Sequence, residues 1–275
     1  MLRQDLRNTI ESTQRAAFED MRLDLMADHG FEATSTWITD GAGSTIYAME
    51  GGRGECPKIL IHGGLSEGSE WWSLAGRLEG RVVIPDRPGC GLTHIPTPHR
   101  DRFRDDAVRW LDEVVDALGA PQVDLIGNSL GGYTSLVYAL AHPERVRRVA
   151  LVGAPAGLLR KVPFFIRLWG NPVAGPIISR RPISDPEKMR AVYQQILAVH
   201  ADRLPRRALE VGVAGAALPG VGRYALQMLQ EVTTLRGILP SLLITPDVAG
   251  LPTPTLFVWG EEDAFGVPED ANRIW

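Results

Sequence analysis

The chain has 275 residues, enough for one large domain with a sizeable core. Hydrophobic residues make up 44% and charged residues 23%, an ordinary globular balance that excludes disordered, collagen-like and coiled-coil chains. The 29 basic and 33 acidic residues leave a net charge of −4, which argues against a nucleic-acid partner, and two cysteines, Cys56 and Cys90, are too few for a disulfide framework.

No apolar run reaches the roughly 18 residues needed to span a bilayer. The amino terminus is charged throughout (Arg3, Asp5, Arg7, Glu11, Arg15) and lacks a signal-peptide core. The expectation is a cytoplasmic protein with no membrane partner. Leu6, Ile10, Ala17, Met21 and Leu25 mark one face of a helix over residues 1–28. Thr34–Thr39 and Thr45–Met49 read as strands of a hairpin turning through Asp40-Gly41-Ala42-Gly43. Short apolar runs follow at Lys58–His62, Arg81–Pro85, Val123–Gly127, Val149–Gly153 and Thr255–Trp259, several of them separated by helical stretches such as Arg102–Leu118. That alternation predicts an α/β fold: a mostly parallel sheet with helices on both faces. Residues 156–251 are too many for one crossover and hold several helical stretches. Ser184-Asp185-Pro186-Glu187 signals a helix start continuing to Val199, and Tyr224–Leu235 reads as another helix. The predicted organisation is a core of residues 1–155 and 252–275 with a helical cap insertion at 156–251.

The most informative segment is Gly127-Asn128-Ser129-Leu130-Gly131, a G-x-S-x-G pattern between a predicted strand and the helical run Tyr133–Leu140. A chain turning sharply from strand to helix presents the Ser129 hydroxyl at a strained apex, beside the free N–H groups of a helix start. Acyl transfer needs two donors for its oxyanion. The N–H of Leu130 supplies one, and the glycine turn His62-Gly63-Gly64-Leu65 supplies the other, with Gly64 the first choice. His62 reads as a brace for that turn, and Asp86 and Arg87 as structural residues, since buried charges persist when paired. His94, His99 and Asp101 do not form a recognisable ligand framework, so neither a metal nor a cofactor is expected.

These segments, with Trp71-Trp72, Asp86-Arg87-Pro88-Gly89-Cys90-Gly91, Pro143-Glu144-Arg145-Val146 and Trp259-Gly260-Glu261-Glu262-Asp263, resemble the α/β-hydrolase fold family in its cap-bearing serine hydrolase branch. The resemblance runs from about residue 34 onward. It implies Ser129 as nucleophile, Asp263 as the acid of a triad, and a small-molecule substrate with a hydrophobic ester, lactone, amide or carbon–carbon bond. A serine at the elbow argues against haloalkane dehalogenase and epoxide hydrolase chemistry, where the family places an aspartate. Trp71, Trp72, Phe165 and Trp169 are the expected pocket residues, with Phe164, Met189 and Tyr193 as further candidates. The family's histidine, which follows the acid, has no counterpart here: the last histidine is His200. The expectation is therefore a truncated chain, lacking an eighth strand and nearly inactive alone. Its exposed edge strand, 255–259, invites self-association. A non-catalytic ligand-binding or scaffold member of the fold is the rival reading.

Overall fold

A computed structural model describes residues 2–39, 41, 43–153, 155–180, 183–196, 200–272 and 274. The expected turn positions Asp40 and Ala42, and the helical continuation over 197–199, lie outside the described residues. A long helix α1 (Leu2–Asp28) leads into strands β1 (Thr34–Thr39), β2 (Thr45–Gly51), β3 (Lys58–Ile61) and β4 (Val82–Pro85). Helix α2 (Phe103–Leu118), β5 (Val123–Asn128), α3 (Leu130–Ala141) and β6 (Val146–Val152) follow. Helices α4 (Phe164–Trp169), α5 (Ala174–Ile178), α6 (Pro186–Ile196), α7 (Arg206–Ala216) and α8 (Val221–Val232) come next. A two-residue ribbon of β7 (Thr233–Thr234) and β8 (Gly237–Ile238) precedes α9 (Thr245–Val248), β9 (Thr255–Val258) and α10 (Pro268–Asn272).

Seven strands form one sheet in the order β1-β2-β4-β3-β5-β6-β9. The β1–β2 and β2–β4 pairs are antiparallel, and the pairs β3–β4, β3–β5, β5–β6 and β6–β9 are parallel. Side-chain alternation divides the core between the two faces. Ile59 and Ile61 pack with α2 and α3, through Leu111, Val115, Leu136 and Val137. Leu60, Tyr47 and Met49 pack on the other face with Phe18, Leu25 and Met26 of α1. At β9 the pattern thins: Leu256 is 60% and Val258 52% exposed, so one face of this outer strand is bare.

Two local expectations shift. Helix α6 starts at Pro186, and its cap is Asp185, whose carboxylate accepts the Lys188 N–H at 2.9 Å. Ser184 lies one residue outside and accepts from the Lys188 ammonium instead, at 3.2 Å, so the serine–glutamate capping pair does not form. Helix α8 ends at Val232, three residues early, because Thr233 turns extended and joins the ribbon.

A candidate active site at the β5–α3 turn

Ser129 sits between β5 and α3 with φ 48° and ψ −109°, the only non-glycine residue with positive φ among the described residues. Such a conformation costs on the order of 1–3 kcal/mol and persists only where packing enforces it. Here the enforcement comes from close backbone approach. A Cβ on Gly127 would lie 2.5 Å from the Gly131 carbonyl oxygen, and one on Gly131 would lie 2.0 Å from that of Ile61. The two glycines let the start of α3 fold back over β5 and dock on β3.

A cavity of about 760 Å³ opens at this turn. Ser129, Leu130, Gly63, Gly64 and Asp263 all line it, so the elbow, the glycine turn after β3 and the segment after β9 converge. Much of its remaining wall is apolar, from Leu65, Val162, Ile166, Met228, Leu229 and Val232 among others. Lys161, Glu261 and Glu262 add charge. The cavity thus lies between the carboxyl ends of the strands and the helices inserted between β6 and β9. Asp263 accepts the Phe265 N–H on Oδ1 at 2.8 Å. Its Oδ2 lies 3.5 Å from where a Cβ of Gly153 would stand, next to the Asn128 amide, which donates to the Val152 carbonyl at 2.9 Å.

The glycine turn is held from beneath. His62 is fully buried; its Nε2 accepts the Arg87 N–H at 2.8 Å, which leaves the proton on Nδ1 to bond the Gly63 carbonyl at 2.8 Å. Burial, reinforced by the Arg87 cation, pushes its pKa down to about 3. With both nitrogens engaged, His62 is a neutral brace. Arg87 Nη1 donates to the same Gly63 carbonyl at 3.1 Å. Asp86 accepts both arms of the Arg22 guanidinium at 2.7 Å, and the Gly68 and Leu92 N–H groups as well. Burial pushes the Cys90 thiol up to about 12, which makes it a packing residue.

The expected aromatic pocket is not where the cavity lies. Trp71 is buried in the core cluster that includes Phe18 and Leu25, and Trp72 packs edge-on against His29 at 4.3 Å. Phe165 and Trp169 pack on each other at 6.0 Å, and the Trp169 indole donates to Ser179. Phe164 points to solvent, while Met189 and the Tyr193 hydroxyl pack at Gly212. The cavity face of α4 is Ile166, one position along from Phe165. Helix rotation decides which side chain enters, and the composition of a short cap helix does not encode it.

Glu70, Lys161 and Asn128 were not singled out from sequence. Glu70 Oε1 accepts the Gly63 N–H at 2.9 Å, and its Oε2 accepts the Ser66 hydroxyl. A lone acidic residue seven positions past a glycine carries no sequence signal for such a role.

A sheet of this order with a left-handed serine at the β5–α3 turn is the architecture of a hydrolase fold. The family model described as the alpha/beta hydrolase fold matches residues 59–275, and the chain belongs to that family. It is 30% identical over 248 residues to the 2-hydroxy-6-oxo-6-phenylhexa-2,4-dienoate hydrolase of Comamonas testosteroni, covering 84% of this chain and 79% of that protein. Similarity to the 2-hydroxy-6-oxo-2,4-heptadienoate hydrolase of Pseudomonas putida reaches 35% but spans 120 residues, 43% of that protein's length. The solved structure of a 2-hydroxy-6-oxo-6-phenylhexa-2,4-dienoate hydrolase from Rhodococcus superposes with a TM-score of 0.71 at 19% identity, over 89% of this chain and 86% of that one. No helix among the described residues is long and apolar enough to cross a membrane.

Proposed function

We propose that the protein is a serine hydrolase that cleaves a bond beside a carbonyl in a small, largely apolar substrate through an acyl-enzyme. The observation that carries this reading is the strained Ser129, set in the wall of the same cavity as Asp263, Leu130 and Gly64. Ser129 Oγ adds to the substrate carbonyl, and the N–H groups of Leu130 and Gly64 receive the oxyanion. Collapse expels the leaving group, and water then releases the acyl group from Ser129. Asp263 is the acid that would orient an imidazole base; that base would take the Ser129 proton and return it to the leaving group, and no histidine of the cavity wall supplies it. The inserted helices act as the cap, and the cavity volume suits a ligand of drug size or smaller. The relatives' names point to oxo-dienoic acids and carbon–carbon cleavage as the first substrates to try.

None of the six histidines, all among the described residues, lines the cavity. Loss of the histidine from a comparable triad lowers turnover on the order of 10⁶-fold, so this polypeptide is proposed to turn over slowly. The same observation favours the second reading, a reversible ligand binder. A fluorophosphonate probe separates the two. Oγ bonds phosphorus as the P–F bond breaks, fluoride leaves, and the hydroxyl proton goes to added imidazole as a diffusible base. Stoichiometric labelling at Ser129, accelerated by imidazole and absent in Ser129→Ala, supports the hydrolase. A folded protein that binds ligands tightly yet never labels overturns it in favour of the binder.

A further inference from the structure

We propose that Glu70 is a positioning residue that locks the glycine turn so that the Gly64 N–H faces the cavity. This inference rests on the oxyanion role given above to Gly64. The orientation follows from peptide geometry. Among the described residues no peptide bond is cis, and in a trans peptide the C=O and N–H point in opposite directions. The Gly63 carbonyl is drawn inward by His62 Nδ1 and Arg87 Nη1. The N–H of the same peptide unit, that of Gly64, therefore points outward, to the side where Gly64 and Leu65 line the cavity. Glu70 fixes the other half of the turn by taking the Gly63 N–H and the Ser66 hydroxyl.

Charged and titratable groups face Glu70 from several elements. Arg22, from α1, is matched by Asp86 at 2.7 Å and Glu67 at 2.8 Å. Arg87, from the loop after β4, spends its Nη1 on a carbonyl. Glu67 is itself pushed up by burial against the pull of Arg22. The remaining neighbours, His62, Cys90 and Tyr193 of α6, are neutral, the thiol and phenol held up by burial. Burial pushes Glu70 up to about 7; Glu67 adds to the shift, and the bonds from Ser66 and Gly63 and the Arg87 cation oppose it. A neutral carboxyl keeps both contacts: one oxygen accepts from Gly63, and the other, now O–H, donates to Ser66 Oγ after that hydroxyl turns. An ionised Glu70 would set a negative charge close to the developing oxyanion, where a low-dielectric site makes repulsion strong.

The test is the rate of fluorophosphonate labelling at Ser129, at fixed imidazole, in wild type, Glu70→Ala and Glu70→Gln. The glutamine reproduces the neutral acid's acceptor and donor without its titration. Glu70→Ala should label about tenfold slower or worse, and Glu70→Gln within about threefold of wild type at pH 6. The ratio of wild-type to Glu70→Gln rates should fall about tenfold from pH 6 to pH 8, as expected for a group titrating near 7. Taking this ratio cancels the titration of imidazole. If Glu70→Ala does not fold, the ratio alone decides. A ratio flat across that range, or a folded Glu70→Ala labelling at the wild-type rate, overturns the inference and leaves the hydrolase reading standing. A folded wild type whose serine never labels sinks both.

Discussion

An added methyl group at position 131 has nowhere to go. It would stand 2.0 Å from the Ile61 carbonyl oxygen, a backbone atom in the middle of the sheet. Relief requires α3 to move off β3, and α3 carries the N–H of Leu130 with it. Gly131→Ala is expected to destabilise the fold by about 3 kcal/mol and to lower Ser129 labelling in the fraction still folded. Urea unfolding measures the first; a midpoint equal to wild type would show that the elbow has slack the geometry denies it. Position 129 is different in kind. Its backbone is strained whatever side chain it carries, so Ser129→Ala should remove labelling and leave the unfolding midpoint close to wild type.

At the scale of elements, α1 is tied to the sheet by a buried ion pair as well as by its apolar face. Arg22 is fully buried, flanked by the rings of Phe18 and Tyr47 at 5.1 and 4.9 Å, and bonded to Asp86 with both arms. Removing one member of a buried ion pair strands the other, at a cost of about 3–5 kcal/mol. Arg22→Met should show that loss in chemical unfolding; a loss under about 1 kcal/mol would mean that Asp86 is satisfied by the Gly68 and Leu92 N–H groups alone. At the opposite end of the sheet, β9 leaves Leu256 and Val258 uncovered. Concentration-dependent association through this strand is the expected outcome, and Leu256→Lys should suppress it in sedimentation velocity. Wild type that stays monomeric from micromolar to near-millimolar concentration would exclude it. The strands were readable from sequence because buried parallel strands leave continuous apolar runs, and the elbow was readable because its glycines are sterically required. The cavity wall was not. Phe165 and Ile166 are adjacent apolar residues, and only the packing of α4 against α8 decides that Ile166 faces the site. Glu70 was equally hidden, since its meaning lies in a turn that the chain forms with Gly63.

For the molecule as a whole, two buried groups make stability depend on pH in opposite senses. His62 drops from the usual 6.5 to about 3 on folding. The unfolded chain therefore takes up this proton first, so its contribution is full above pH 6.5 and drains away as the pH falls toward 3. Glu70 rises from 4.5 to about 7. The folded state keeps that proton longer, so its contribution is full below pH 4.5 and is lost as the pH climbs through 7. The unfolding free energy of wild type minus that of Glu70→Gln should accordingly decline between pH 4.5 and 7 and level off above. Urea titrations at half-unit intervals would show it; a difference constant with pH would mean that folding leaves the Glu70 pKa unshifted.

The bond between Arg22 and Asp86 joins residues 64 positions apart. A ribosome extends the chain from the amino end, so α1 emerges with Phe18, Leu25 and Met26 uncovered long before β4 exists to receive them. Helix α1, made before β4, thus waits for its partners before it can settle. During that interval its apolar stripe is open to chaperones or to a neighbouring nascent chain. Any change that slows the appearance of the fourth strand lengthens that exposure, without altering a single contact in the finished protein.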